Sequence, residues 1–168
     1  MKAKLIINNQ EIEVEISEEE YKKLQPEKKK TGYERVDKGD TCFYVDEMGV
    51  VENEYDDGLS WSEATYRSAN YYSDRTVAKN NARADELMRQ LRRFAVDHRK
   101  KEFDWSNRHQ YKYSILYIHN KSELYANSCI GLQTFGEIYF DSNETAQLAI
   151  DTFKDELIWY FTEYKDSL

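Results

Sequence analysis

The chain has 168 residues, 40% of them apolar and 14% aromatic, which is enough to fill the core of one ordinary domain or of two small lobes sharing one. That composition excludes a disordered chain. A formal charge of −8 argues against a general nucleic-acid binder, and no apolar run approaches the length of a membrane span.

In chain order, residues 2–16 predict a hairpin. Leu5 and Ile7 precede a turn at Asn8-Asn9-Gln10, and Ile12, Val14 and Ile16 then alternate with Glu11, Glu13 and Glu15. The apolar run at the N-terminus is too short for a secretory signal, so the expected location is the cytoplasm, with no membrane partner. Ser17-Glu18-Glu19-Glu20 reads as a capping box starting a short helix at Glu18, which Pro26 ends. Residues 26–40 are polar, contain Gly32 and Gly39, and read as a linker.

Cys42 to Val45 and Val50 to Glu54 predict two strands around a turn at Asp46-Glu47-Met48-Gly49. Residues 66–72 read as a third, extended segment. A helix follows from about Arg75 to Lys101, with Val77, Ala84, Leu87, Met88, Leu91, Phe94 and Ala95 on its apolar face. Residues 102–110 connect, with Phe103 and Trp105 expected to fold back onto the core. The order then repeats. Strands are expected over 111–118, 123–127 and 133–140, with a bulge at Gly136, and a helix over 143–164.

The repetition is visible residue by residue. Asn70 to Ala78 aligns with Ile138 to Ala146 at an offset of 68, placing Tyr71 on Tyr139, Tyr72 on Phe140 and Asp74 on Ser142. The expected architecture is therefore α+β. A hairpin, short helix and linker (1–40) precede two related βββα units (41–101 and 102–168), with antiparallel sheet packed by two long helices.

Candidate functional residues fall in two charged stretches. Residues 46–63 carry seven carboxylates and no Lys or Arg, with Trp61 inside the run and Tyr66 beside it. Acid with aromatics suits a contact surface or a mimic of nucleic-acid phosphates, and the expected contacts are Asp56, Asp57, Trp61 and Tyr66. Residues 75–101 instead total +6, so the remainder totals −14. Arg89, Arg92 and Arg93 could dock an acidic protein surface or bind phosphates; the plainer reading is a solvated face.

No catalytic motif is present. Glycine-rich phosphate loops, zinc-ligand spacing and nucleophile elbows are all missing, and His98, His109 and His119 lie in no catalytic pattern. No cofactor or metal is expected; Glu54, Asp56 and Asp57 lack calcium-loop spacing. Cys42 and Cys129 sit in apolar runs and read as reduced, buried and inert. Trp159, Tyr160, Phe161 and Tyr164 read as packing rather than as an exposed patch, although a homodimer is compatible with them.

Several segments together carry a resemblance. They are Thr31 to Val36, Asn70 to Ala78, Asp104-Trp105-Ser106, Tyr113 to Tyr117, Gly136 to Ser142, and Ala146, Ile150 and Lys154 to Leu157. Over most of residues 31–164 the chain resembles small proteins encoded by phages and prophages of low-GC Gram-positive bacteria. The resemblance implies no catalytic residue; it implies an accessory gene of a mobile element. Such genes often encode inhibitors of host defence nucleases, anti-CRISPR proteins among them. The resulting expectation is a non-catalytic protein that binds and inhibits a host protein in the host cytoplasm, plausibly a CRISPR-associated nuclease. The alternative is a nucleic-acid-binding accessory protein using the basic helix 75–101.

Overall fold

A computed structural model of the chain describes residues 2–7, 10–15, 17, 19 and 30–164. It divides into two compact units, residues 1–31 and 32–168. In the first, β1 (Lys2–Ile7) and β2 (Gln10–Glu15) form the expected antiparallel hairpin, in register from Lys2 opposite Glu15 to Ile7 opposite Gln10. Lys4 Nζ and Glu11 Oε2 pair at 3.0 Å on its exposed face. The short helix expected from Glu18 to Pro26 lies outside the described residues, apart from Glu19.

The second unit is α+β. Two hairpins, β3 (Thr41–Val45) with β4 (Val51–Tyr55) and β5 (Lys112–Ile118) with β6 (Glu123–Cys129), pair antiparallel within themselves. Helix α1 (Ser60–Arg67) follows the first hairpin, and α2 (Arg75–Asp97) packs against both of its strands. Helix α3 (Asn143–Thr152) packs against β5 and β6. Helix α4 (Lys154–Trp159) continues into a wider π turn at Tyr160–Tyr164.

Local chemistry explains the helix starts. Asp74 Oδ1 accepts from the backbone N–H of Thr76 (2.6 Å) and Val77 (3.1 Å). Ser142 Oγ accepts from Thr145 N–H at 3.1 Å. Each cap satisfies donors that a first turn leaves open. Each helix also has a single bridge just upstream: Tyr72 with Phe43, and Phe140 with Tyr113.

Those bridges are all that exists of the two expected third strands. Residues 60–67 are helical because Asp57 Oδ1 accepts from Leu59 N–H (2.8 Å) and Ser62 Oγ (2.9 Å), and the helix so started takes in Tyr66 and Arg67, the first two residues of the expected extended run. Residues 133–139 turn instead of pairing. Gly136 has φ +78°, a conformation costly for other residues. The Tyr139 hydroxyl holds the turn closed: it accepts from Thr134 N–H and donates to Glu137 Oε2, both at 2.7 Å.

Helix lengths differ from expectation as well. Helix α2 ends at Asp97, and the last helix breaks at Phe153 (φ −112°, ψ 22°), where the Thr152 hydroxyl donates back to Leu148 C=O at 2.7 Å. The apolar core joins Leu87, Leu91 and Ala95 of α2 to Ala146, Ala149 and Ile150 of α3, with Ala126, Phe140 and Leu157. Alanines on α3 allow its backbone to lie close to the sheet.

Residues 32–40 are no linker, because they are bonded into this unit. Gly32 C=O accepts from Ser73 N–H (2.8 Å), Val36 N–H donates to the Tyr71 hydroxyl (3.2 Å), and Gly39 N–H donates to Asp56 C=O (2.7 Å). Gly32 has φ +87°, and a Cβ there would stand 2.6 Å from Val77 Cγ2.

The connector 102–110 is pinned from below. Lys112 is fully buried, and its ammonium donates to the carbonyls of Asp104 and Gln110 beneath the Trp105 ring. Trp105 stands edge-on to Tyr139 at 5.0 Å. Replacing Lys112 with Met keeps the volume and orphans both carbonyls. The expected loss is about 2 kcal/mol in chemical unfolding; a loss near zero would mean that water serves those carbonyls equally well.

Candidate functional site

The expected acidic contact surface is largely committed to the fold. Asp56 is 2% exposed, so it is unavailable to a partner, which corrects its assignment as a contact residue. Its carboxylate accepts from Arg35 Nε (3.0 Å), the Tyr71 hydroxyl (2.8 Å) and Gly58 N–H (2.8 Å). The Arg35 guanidinium, with those two further donors, holds it well below the usual carboxylate range against the opposing effect of burial. Asp57 stays exposed, but its Oδ1 is occupied in starting α1. Glu63 pairs with Arg35 (2.7 Å) and Arg67 (3.0 Å), and Asp46 Oδ1 closes its own turn onto Met48 and Val50 N–H.

Trp61 and Tyr66 are partly exposed on α1. Trp61 packs edge-on to Tyr44 at 5.1 Å; Tyr66 packs edge-on to Tyr71 at 5.5 Å and lies under the Arg35 guanidinium. Arg89, Arg92 and Arg93 are exposed on α2, and among the described residues none has a carboxylate within ion-pairing distance. Arg83, by contrast, is taken up by Glu156 (2.7 and 2.9 Å) and lies 3.9 Å over the Trp159 ring. Arg89 reaches the β3–β4 turn at Gly49, and among the described residues no hydrogen bond, ion pair or ring contact joins Trp61 or Tyr66 to the three arginines.

The histidines are dispersed. His98 stacks on Phe94 at 3.9 Å at the end of α2, and His109 and His119 lie on exposed turns. Cys42 is buried and Cys129 half-buried, and burial pushes both thiols up. Among the described residues no group of three or more His, Cys, Asp or Glu is placed to hold a metal ion, and no helix is long and apolar enough to cross a membrane.

A concave site that the sequence reading missed lies beside β5. Its volume is about 230 Å³. Leu87, Met88 and Leu91 of α2 form one wall, and Leu157, Tyr160 and Phe161 form another. Ile115 and Leu116 of β5 supply the third, and the 134–138 turn with Phe140 borders the remainder. Phe135, on that turn, is fully exposed, and Leu132 just before it is largely so. The site exists because the turn peels away from β5 where a third strand would have continued.

That departure leaves part of β5 without a neighbour. Tyr113 exchanges both backbone hydrogen bonds with Phe140 (2.9 and 2.7 Å). Residues two apart in a strand present their N–H and C=O to the same edge, so Ile115 and Tyr117 point theirs the same way. Among the described residues nothing pairs with them on that side. The first hairpin has the same edge closed: Val45, two residues beyond the bridged Phe43, donates to Asn70 Oδ1 (2.9 Å) and accepts from Asn70 Nδ2 (2.7 Å).

Chemically, this arrangement offers an apolar cleft and, among the described residues, an open backbone edge and arginines without a carboxylate partner on the helix that walls the cleft. It presents no pair of titratable groups set for proton transfer. Comparison with known proteins adds no relative: no family model, no curated protein and no solved structure matches the chain.

Proposed function

We propose that the protein is a non-catalytic binding protein that inhibits another protein by occupying its surface. The concrete form is a phage or mobile-element accessory protein directed at a host defence effector, an anti-CRISPR-like inhibitor. The observation that carries the binding role is the α2–β5 face. There Arg92, which among the described residues has no carboxylate within ion-pairing distance, directly follows the cleft-lining Leu91 of α2, and aromatic and aliphatic side chains are exposed beside it, whereas Arg89 reaches the β3–β4 turn at Gly49. Apolar surface with desolvatable arginines is the composition of an interaction hot spot. The defence-effector setting rests on the resemblance alone; the finer reading of two related βββα units, with third strands shortened to single bridges, rests on the internal repeat at an offset of 68.

The same arginines also suit phosphates, and one experiment separates the two partners. The full chain, tagged, is used to capture binders from bacterial lysate with and without nuclease treatment, alongside the R89E/R92E/R93E variant. The expected result is one stoichiometric protein that survives nuclease and falls about tenfold with the variant, a change equivalent to roughly 1.4 kcal/mol. Capture that disappears with nuclease would overturn the reading in favour of nucleic acid on the basic helix.

A further inference from the structure

We propose that β5 takes up an extended segment of the partner protein as an added strand. A bulky apolar side chain of that segment fills the cleft, and an acidic residue next to it meets Arg92. The proposal deepens the binding reading above and rests on it.

The hydrogen-bonding requirement comes first. Ile115 and Tyr117 present donors and acceptors at strand spacing, and an exposed edge of this kind is a template for another chain. The molecule itself shows what closes such an edge. In the first hairpin the Asn70 side-chain amide bonds to both groups of Val45, as a backbone amide would. At the offset of 68 the matching residue is Ile138, which has neither donor nor acceptor in its side chain. One edge is closed by an amide; the equivalent edge is left open, among the described residues, beside an apolar cleft.

An occupant must therefore bring amides and an apolar group together. A purely apolar small molecule would fill the cleft and leave the edge unpaired. Charge narrows the choice further. Arg92 directly follows Leu91 and lies one helical turn beyond Met88, both of which line the cleft, and it has no carboxylate among the described residues. A second copy pairing through its own β5 would bring Lys112–Ile118, a strand with no carboxylate. A partner segment with Asp or Glu beside its anchor answers both the edge and the arginine.

The test uses the full chain, panned against random peptides displayed on phage, with the tightest binder then synthesised. The selected peptides are expected to share an aromatic or large aliphatic residue beside Asp or Glu. On binding, amide exchange at Ile115 and Tyr117, followed by NMR, should slow by about tenfold or more. Ile138→Asn, which supplies the amide that Asn70 supplies in the first hairpin, should weaken binding about tenfold, as should Arg92→Glu. Ile138 borders the cleft, so a peptide N-methylated at its pairing amides repeats the edge test without altering the protein, and it should fail to bind.

Failure to select any peptide would overturn strand addition, as would a peptide that binds without slowing Ile115 and Tyr117. Slow exchange at those amides in a peptide-free dimer would assign the edge to a second copy and also overturn it. If the lysate partner is held through the α2 arginines while Ile115 and Tyr117 stay fast in that complex, strand addition is wrong and the binding reading stands. If no protein is held through those arginines, the binding reading itself fails.

Discussion

Replacing Asp56 with Asn is expected to cost about 3 kcal/mol of folding stability, measured by urea unfolding at neutral pH. The carboxylate is nearly inaccessible and serves three donors from separate parts of the chain: Arg35 before β3, Gly58 after β4 and Tyr71 before α2. Asn keeps the volume but removes the charge facing Arg35 and places an amide against donors. Only one oxygen remains to accept, so part of the network is left unpaired, and the unmade bonds dominate the cost.

The pH dependence carries a definite sign. The Asp56 carboxyl is depressed in the folded state by Arg35 first, then by Tyr71 and Gly58. In the unfolded chain it titrates near about 3.9. The unfolded state therefore binds the proton more readily, and the stabilisation is fully present above that value. It is lost as pH falls below about 4 towards the folded value. The variant should lie about 3 kcal/mol below the parent at pH 7, with the gap narrowing below about pH 4. Parallel curves down to the acid limit would show that the charge of Asp56 contributes nothing.

The second large effect is at Phe140. The side chain is 1% exposed, belongs to the main core with Leu91, Ile150 and Leu157, and also borders the cleft. Phe140→Ala removes a ring from packed surroundings and leaves a void, for an expected loss of about 3–5 kcal/mol. In a chain of this length that corresponds to a fall in Tm on the order of 10 °C. The backbone bridge to Tyr113 needs no side chain and should persist. A loss under about 1 kcal/mol would mean that Tyr113, Ile138 and the turn collapse into the space, and that the packing here is loose.

What was legible in the sequence was what local chemistry decides. Alternation of apolar residues identified the first hairpin, apolar runs around turn residues the other two, and Asp74 and Ser142 announced the starts of α2 and α3, because a cap needs only the residues two or three beyond it. Every residue of the expected α2 face is buried or half-buried, while Ala78 and Ala82, buried on another side of the same helix, escaped a single-face reading.

Tertiary arrangements were not legible. Asp56 looked like a solvated acid because Arg35, the residue that buries it, lies 21 positions away. The third strand of the second hairpin failed through Gly136 and the Tyr139 hydroxyl, whose role depends on the turn that they make together. The open edge had a signal in the repeat itself, where an amide, Asn70, stands opposite an aliphatic residue, Ile138. Its meaning required knowing that Asn70 bonds to the strand edge.

The most direct test of the account is amide exchange on the free full chain, residue by residue along β5. Ser114 and Leu116 face β6 in the ladder, whereas Ile115 and Tyr117 face the open edge. The account predicts slow exchange at Ser114 and Leu116 and exchange faster by orders of magnitude at Ile115 and Tyr117. Equal protection at all four residues would mean that the edge is already covered, and would contradict the claim that β5 is the surface kept open for a partner.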